Sequence, residues 1–187
     1  MEKLKADFLI LDTETTGLDN NAEIVEITII DNYGRILLNE LIKPKNKIPQ
    51  EVINIHGITN EMVKDKKDWI FWKDKVENIL NNNVCYIYNK DYDVRLMEQT
   101  SKQYLLNFNT NCIFKCCMLD YAIYNGEWNP YYQNYKWIKL VNAFDHIKTF
   151  WSKDDLMNLI PITAHRALGD CIMTLGVVNF LKVRGLI

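Results

Sequence analysis

Acidic side chains and one histidine recur in three short segments of the chain, at spacings that suit metal-dependent chemistry on phosphates. The first segment, DTETTG, follows the apolar run FLIL, and the other two are YNKDYD and HRALGD. Carboxylates and an imidazole are the groups that hold hard divalent cations and help water attack a phosphodiester. The candidate metal ligands are Asp12, Glu14, Asp93 and Asp170, and the candidate general base is His165.

The first acidic pair belongs to a strand that is predicted to begin at residue 7. Side chains two residues apart on a strand share a face, so Asp12 and Glu14 point together whereas Thr13 points away. Two carboxylates this close repel each other unless a cation lies between them. Gly17 allows a sharp turn after the pair. The alternative is a strand end that simply exposes two acids to water.

Asp93 is expected near the start of a helix that follows a short apolar strand. Asn89 is a suitable N-cap after the strand predicted at 84–88, which places Asp93 about one turn into the helix. Ligands of α/β sheets collect at the carboxyl ends of strands, and this favours a functional role for Asp93. An acid that only complements the helix dipole is the plainer alternative.

His165 and Asp170 are five residues apart, which is an awkward spacing for two residues of one regular helix. They would point about 140° away from each other. We therefore expect His165 before the last helix and Asp170 inside it, and Pro161 upstream favours an irregular start. A surface histidine with a capping role is the alternative.

Apolar periodicity along the chain predicts an α/β fold with one domain over residues 1–187. Three strands come first and are joined by short connections, which indicates an antiparallel start; helices and strands then alternate, which indicates parallel pairing. The result is a mixed five-stranded sheet flanked by helices. Strands are predicted at 7–13, 23–31, 35–43, 84–88 and 112–116, and helices at 50–55, 60–63, 69–80, 89–105, 118–124, 137–148 and 164–183.

The composition is that of a globular protein of 187 residues, 48% hydrophobic and 25% charged, with a net charge of -2. This balance excludes a globally basic surface for nucleic acid. The charge is uneven, however, since residues 35–75 carry nine Lys or Arg against six Asp or Glu. That segment either follows a phosphate backbone or is an ordinary solvated surface.

Five cysteines, an odd number without a disulfide pattern, favour a reducing compartment. Cys112, Cys116 and Cys117 lack a fourth ligand at ordinary zinc spacing, so zinc is disfavoured. The apolar run before Asp12 is too short for a signal peptide or a membrane span. We therefore expect a soluble cytoplasmic protein without membrane contact.

The three segments resemble the motifs of the DEDDh branch of the DnaQ-like 3′–5′ exonucleases, which have a ribonuclease H-like fold. A histidine five residues before the last aspartate is similar to the histidine subclass, since Arg166 stands where the tyrosine subclass has tyrosine. The segment at 43–63 is similar to the family's substrate loop. Departures are Tyr92, where phenylalanine is usual, and a long aromatic region at 125–137. The matching motifs are DTETTG at 12–17, YNKDYD at 88–93 and HRALGD at 165–170.

The resemblance implies two Mg²⁺ ions, replaceable by Mn²⁺, bound by Asp12, Glu14, Asp93 and Asp170, with His165 as general base. The implied reaction releases nucleoside 5′-monophosphates from the 3′ end of nucleic acid, with single-stranded DNA as the first expectation. The residues implied to contact the terminal nucleotide are Thr15, Thr16, Leu18, His56, Ile58 and Asn89.

Several alternatives stay open at the level of sequence. The substrate could be RNA, as for an oligoribonuclease, or the chain could be a catalytically silent replication accessory protein. An endonuclease of the same fold would not explain His165. A homodimer or a polymerase partner is compatible with the pattern. Leu18 and Ile58 could wedge into the substrate or belong to the core, and the aromatic residues of 121–137 could stack on bases, bind a protein or be core.

Overall fold

The computed structural model describes residues 6–150 and 164–187. Its main sheet has five strands in the order β3-β2-β1-β4-β5. The first three strands pair antiparallel, and β1 with β4 and β4 with β5 pair parallel. The predicted mixed sheet of a ribonuclease H-like fold is therefore confirmed. The strands are β1 (Leu9–Thr15), β2 (Ile24–Asp31), β3 (Ile36–Leu41), β4 (Val84–Ile87) and β5 (Ile113–Cys116).

Helices occur where the periodicity predicts them, but two of them begin later. The helices predicted from 137 and 164 start at 140 and 167, because Lys139 and Arg166 have extended backbones. Pro161 lies outside the described residues. The helices are α1 (Gln50–His56), α2 (Asn60–Val63), α3 (Trp69–Leu80), α4 (Lys90–Gln103), α5 (Cys117–Asn125), α6 (Leu140–Ile147) and α7 (Ala167–Val183), with a 3₁₀ turn at Lys148–Phe150.

Alternating side chains of β1 divide the core between the two faces of the sheet. Leu9 and Leu11 pack on one face with side chains of α3 and α4. Ile10 packs on the opposite face, which α5, α6 and α7 cover. Because side chains alternate, Asp12 and Glu14 continue the Ile10 series and point to the α7 face. No helix of the described residues is long and apolar enough to cross a membrane.

A small aromatic hairpin lies between α5 and α6, in the region that departs from the family pattern. Its strands are β6 (Trp128–Asn129) and β7 (Asn134–Tyr135), and the rings of Trp128 and Tyr135 meet edge to face at 5.3 Å. Sequence analysis left this stretch without an assigned structure. Strands of two residues are too short to show the alternation by which a strand is recognised.

Candidate metal-dependent active site

Three of the four predicted ligands come together where β1 meets the first turn of α7. Oxygen atoms of Asp12, Glu14 and Asp170 all lie within 4.8 Å of one another, and each side chain is half-buried. The strand presents Asp12 and Glu14 on the face that α7 covers, and Asp170 is the acidic residue in the first turn of that helix. Three carboxylates are therefore held at the separation that one cation can bridge.

Asp93 approaches the same place from the opposite face of the sheet. It lies in the first turn of α4, is buried, and accepts hydrogen bonds through Oδ1 from the Thr13 amide (3.0 Å) and the Thr13 hydroxyl (2.7 Å). Thr13 points away from the Asp12 face, as predicted, and so meets α4. Asp93 is outside the group of three whose oxygens converge, but it is close enough to raise the pKa of Asp12.

Burial and mutual repulsion make this cluster reluctant to ionise. Burial, followed by the charge of Asp93 and then of Asp170, holds the pKa of Asp12 well above its usual value. Burial followed by Asp170 raises the pKa of Glu14 to about 8. Burial also raises the pKa of Asp93 to about 7 and that of Asp170 to about 6. A divalent cation would reverse this preference, and oxygen-only donors suit magnesium or manganese, so these residues fit such an ion.

His165 lies just before α7, next to Asp170. Its backbone is left-handed (φ 60°), a strained conformation for a residue with a side chain, and its amide donates to Asp170 Oδ1 at 3.3 Å. The imidazole is exposed and lines, together with Asp170 and Asn89, a cavity of about 670 Å³. The expected placement, with His165 before the helix and Asp170 inside it, is what the structure has.

Sequence analysis missed a buried carboxylate beside the site, Glu26 on β2. Glu26 stands directly opposite Glu14 in the antiparallel register, where like charges destabilise a strand pair. Arg166 offsets that repulsion, because its Nε donates to both Glu26 oxygens (3.2 and 3.0 Å). Glu26 also accepts from the Ala167 amide at 3.0 Å and so caps α7 from the neighbouring strand. Glu26 and Arg166 thereby fix the start of the helix that carries Asp170.

Three residues that were predicted to contact the substrate instead make hydrogen bonds within the protein. His56 is buried; its Nε2 lies 3.2 Å from the Thr15 carbonyl, and its Nδ1 accepts from the Ile58 amide. The Thr15 hydroxyl donates to the Gly17 carbonyl. The Thr16 hydroxyl accepts from the backbone amide of the residue at position 23. These side chains shape the turn after β1 and do not face outward.

Ile58 is a correction to the predicted substrate contacts. Its side chain is fully buried and packs with Val25, Ile48 and Val63, which is the core role that the sequence left open. A side chain without exposed surface does not reach a bound strand. Leu18 is the opposite case, since 81% of its side chain is exposed. Asn89 is also exposed; it occupies the N-cap position of α4, but its side chain makes no capping hydrogen bond.

The turn that carries Leu18 is held by one side of α4. Arg95 donates to the Leu18 carbonyl at 3.2 Å and to the Asp19 carbonyl at 3.3 Å. Gln99, one helical turn further on, donates to the carbonyls of Asp19 (3.1 Å) and Ala22 (2.6 Å). The exposed Leu18 thus lies on a turn whose backbone carbonyls accept hydrogen bonds from side chains of α4.

Comparison with known proteins agrees with this geometry. A family model described as "Exonuclease" matches residues 9–178. The chain belongs to the DnaQ-like exonuclease family. It is 43% identical over 187 residues to an uncharacterized exonuclease, CP81, of Escherichia phage 186, covering 97% of this chain and 91% of that protein. It is 31% identical over 121 residues to the DNA polymerase III subunit epsilon of Pasteurella multocida, and this match spans 47% of that subunit.

Solved structures of the family have the same fold. Exonuclease X in complex with 5′ overhanging duplex DNA superposes with a TM-score of 0.68 at 24% identity, covering 95% of this chain and 93% of that one. The nuclease domain of 3′hExo, a DEDDh family member bound to rAMP, gives a TM-score of 0.67 at 14% identity, covering 98% and 95%. At these identities the likeness establishes the ribonuclease H-like fold.

Proposed function

We propose that the chain, as a single exonuclease domain over residues 1–187, is a metal-dependent 3′–5′ exonuclease that acts mainly on single-stranded DNA. The observation that carries the proposal is the convergence of Asp12, Glu14 and Asp170 oxygens within 4.8 Å beside an exposed histidine. Membership of the exonuclease family supports hydrolysis of phosphodiesters. The relatives that are polymerase subunits support DNA as the substrate.

Asp12, Glu14 and Asp170 would hold the cations, and Asp93 would complete the set from α4. Bound Mg²⁺ or Mn²⁺ supplies Lewis-acid stabilisation of the phosphate charge and makes water more acidic. His165 lines the cavity and would accept the proton of the attacking water at a ring nitrogen, as an imidazole general base does. The products are nucleoside 5′-monophosphates.

The terminal nucleotide would lie in the 670 Å³ cavity between Asn89 and His165. Leu18 is the remaining apolar candidate for contact with the last base, because it is exposed and Arg95 of α4 holds its turn in place. Thr15, Thr16 and His56 contribute by shaping that turn.

A labelled oligonucleotide tests direction and metal dependence together. With Mg²⁺, a 3′-labelled DNA oligomer should release its label as a mononucleotide at once, whereas a 5′-labelled oligomer should shorten stepwise. EDTA should abolish both, and Mn²⁺ should restore them. Release of the label from the 5′ end first, or activity that survives in Asp12→Ala, would overturn the proposal.

The competing functions separate in the same assay. A matched RNA oligomer that is degraded faster than DNA would assign an exoribonuclease. Cleavage of a circular single-stranded DNA would assign an endonuclease. A protein that binds neither Mg²⁺ nor Mn²⁺ by calorimetry and degrades nothing would be an accessory protein. Because the epsilon relatives are polymerase subunits, we also propose testing for a polymerase partner and for a homodimer by size-exclusion chromatography.

A further inference from the structure

The aromatic hairpin exposes more large rings than a solvated loop requires. Tyr131 is 84% exposed, Tyr132 68%, Trp137 62% and Trp128 51%. Water-facing aromatic surface is costly, and a contiguous set of such side chains marks a binding surface. The four rings all belong to residues 128–137, between α5 and α6.

Trp137 connects this surface to the active site. It lines the cavity of about 670 Å³ together with His165 and Asp170. It also lines a second cavity of about 460 Å³ against the hairpin, together with Tyr132 and Lys136. The Trp137 indole therefore lines both the cavity where the 3′ end would be cleaved and the cavity beside the hairpin rings.

The segment that follows Trp137 is fixed in place by the sheet. The hydroxyl of Tyr88, the residue immediately after β4, donates to the Ile138 carbonyl at 2.7 Å. Tyr88 is itself buried in the main core. The backbone next to the Trp137 indole is therefore held in place. A ring that is already positioned loses little entropy on binding, so Trp137 is suited to stack on a base.

The charge along this path suits phosphates. Of the described residues that line the hairpin cavity, none is acidic, and Lys136 lines it with its ammonium paired to Glu127. Lys139, two residues after Trp137 and exposed, lines the active-site cavity. Rings that accept any base, interleaved with lysines that follow the backbone, are the usual surface for single-stranded nucleic acid.

We propose that the aromatic hairpin binds the single-stranded part of the substrate upstream of the scissile phosphate, with one base stacked on Trp137 and the next on Tyr132. This inference rests on the proposed exonuclease function, and it names a second subsite for the same substrate. A strand of two nucleotides is too short to reach Tyr132, whereas a longer strand occupies both rings. The hairpin therefore confers a preference for longer single strands.

The test compares kcat/KM for a thymidine dinucleotide and for a thymidine dodecamer with Mg²⁺, and their ratio is the length advantage. In Tyr132→Ala the length advantage should fall about 10-fold, as expected when one base loses its stacking partner. Trp137→Ala should instead lower kcat/KM about 10-fold for both substrates and leave the length advantage unchanged, because the dinucleotide also reaches Trp137. Tyr132→Phe should retain the length advantage, and Trp137→Phe should retain kcat/KM for both substrates, because an aromatic ring is kept. Tyr33→Ala removes an exposed aromatic residue at the β2–β3 turn and is the matched control.

Affinity measured without catalysis separates this inference from the proposed function. In EDTA, the Kd of fluorescein-labelled dodecamer by anisotropy should rise about 10-fold in Tyr132→Ala. If the wild type degrades no oligomer but this shift is seen, the exonuclease function fails and the subsite stands. If the wild type degrades the dodecamer while Tyr132→Ala keeps both its length advantage and its affinity, the hairpin does not bind nucleic acid and the inference is overturned. Thermal melting confirms that each variant is folded.

Discussion

The acidic site and the aromatic hairpin share a cavity wall, but the chain holds them in opposite ways. The carboxylates stand on β1, α4 and α7, and hydrogen bonds from Thr13, Arg166 and the Ala167 amide fix the elements around them. The hairpin has two strands of two residues and exposes most of its rings. A site that must bring like charges together needs rigid support on every side. A surface that accepts any base needs only positioned rings.

This contrast leads to different kinetic consequences for changes in the two regions. Substitutions in the acidic site should lower kcat, because they disturb groups that act on the transition state. Substitutions in the hairpin should act through KM on long substrates.

The largest effect is expected for Asp12→Asn. Removal of one ligand oxygen should lower kcat on the order of 10³-fold, the scale of losing one preorganised electrostatic group. The fold should survive, because burial already raises the pKa of Asp12 and a neutral amide relieves its repulsion with Asp93 and Asp170. Mononucleotide release measures the first effect, and thermal melting without metal measures the second. A variant that melts well below the wild type would show that Asp12 is structural.

Arg166→Ala should have the next largest effect. It leaves the Glu26 carboxylate buried and unpaired opposite Glu14, at the start of α7. We expect kcat to fall about 10- to 100-fold, as for residues that support metal ligands, with little change in KM. Arg166→Lys should restore part of the activity, since one ammonium replaces the charge but not the two-pronged contact.

A second buried ion pair provides the control for Arg166→Ala. Arg35 pairs with the buried carboxylate of Asp31 at the far end of β2. Arg35→Ala should lower the melting temperature but leave kcat unchanged. If both variants lower kcat in proportion to lost stability, the Glu26–Arg166 pair has no positioning role.

Glu26 also shows where sequence alone is insufficient. The acids of β1 and α7 and the antiparallel-then-parallel pairing of the sheet were predictable, because apolar alternation and motif spacing are local signals. In the run IVEITIID, Glu26 looks like a solvent-facing residue of an exposed strand. Its partner, Arg166, is 140 positions away. The burial of Ile58 was likewise decided by Val25 and Ile48, which only the folded chain brings together.

Removal of metal should make stability depend on pH in an unusual direction. Burial raises the pKa of Glu14 to about 8, above the ordinary glutamate value of about 4.3 in the unfolded chain. The folded protein therefore binds more protons between these values, and stability due to this group is full at low pH and is lost as pH rises toward 8. In EDTA, the melting temperature of the wild type should fall relative to Glu14→Gln by about 2–4 °C or more between pH 5 and 8.

Mg²⁺ should cancel this fall, because a ligand of the folded state stabilises it by mass action. Scanning calorimetry at several pH values, with EDTA or with Mg²⁺, measures both effects. Parallel curves for the wild type and Glu14→Gln in EDTA would mean that Glu14 is ionised without a cation. The acidic site would then not need a cation to offset repulsion between its carboxylates, and this need is what distinguishes it from the hairpin.

The smallest effect is expected at the turn that carries Leu18, which combines features of both regions. Leu18 is exposed like the hairpin rings, yet α4 holds its turn through Gln99. Gln99→Ala removes two donors to the turn, whereas Arg95 still donates to the Asp19 carbonyl and Gln103 to the Ala22 carbonyl. The loss of about one net hydrogen bond should raise KM about 2- to 5-fold with kcat unchanged. Gln50→Ala, on the exposed side of α1, is the matched control. A fall in kcat as large as that in Arg166→Ala would place this turn with the acidic site, because it would mean that Leu18 aligns the scissile phosphate as well as holding the base.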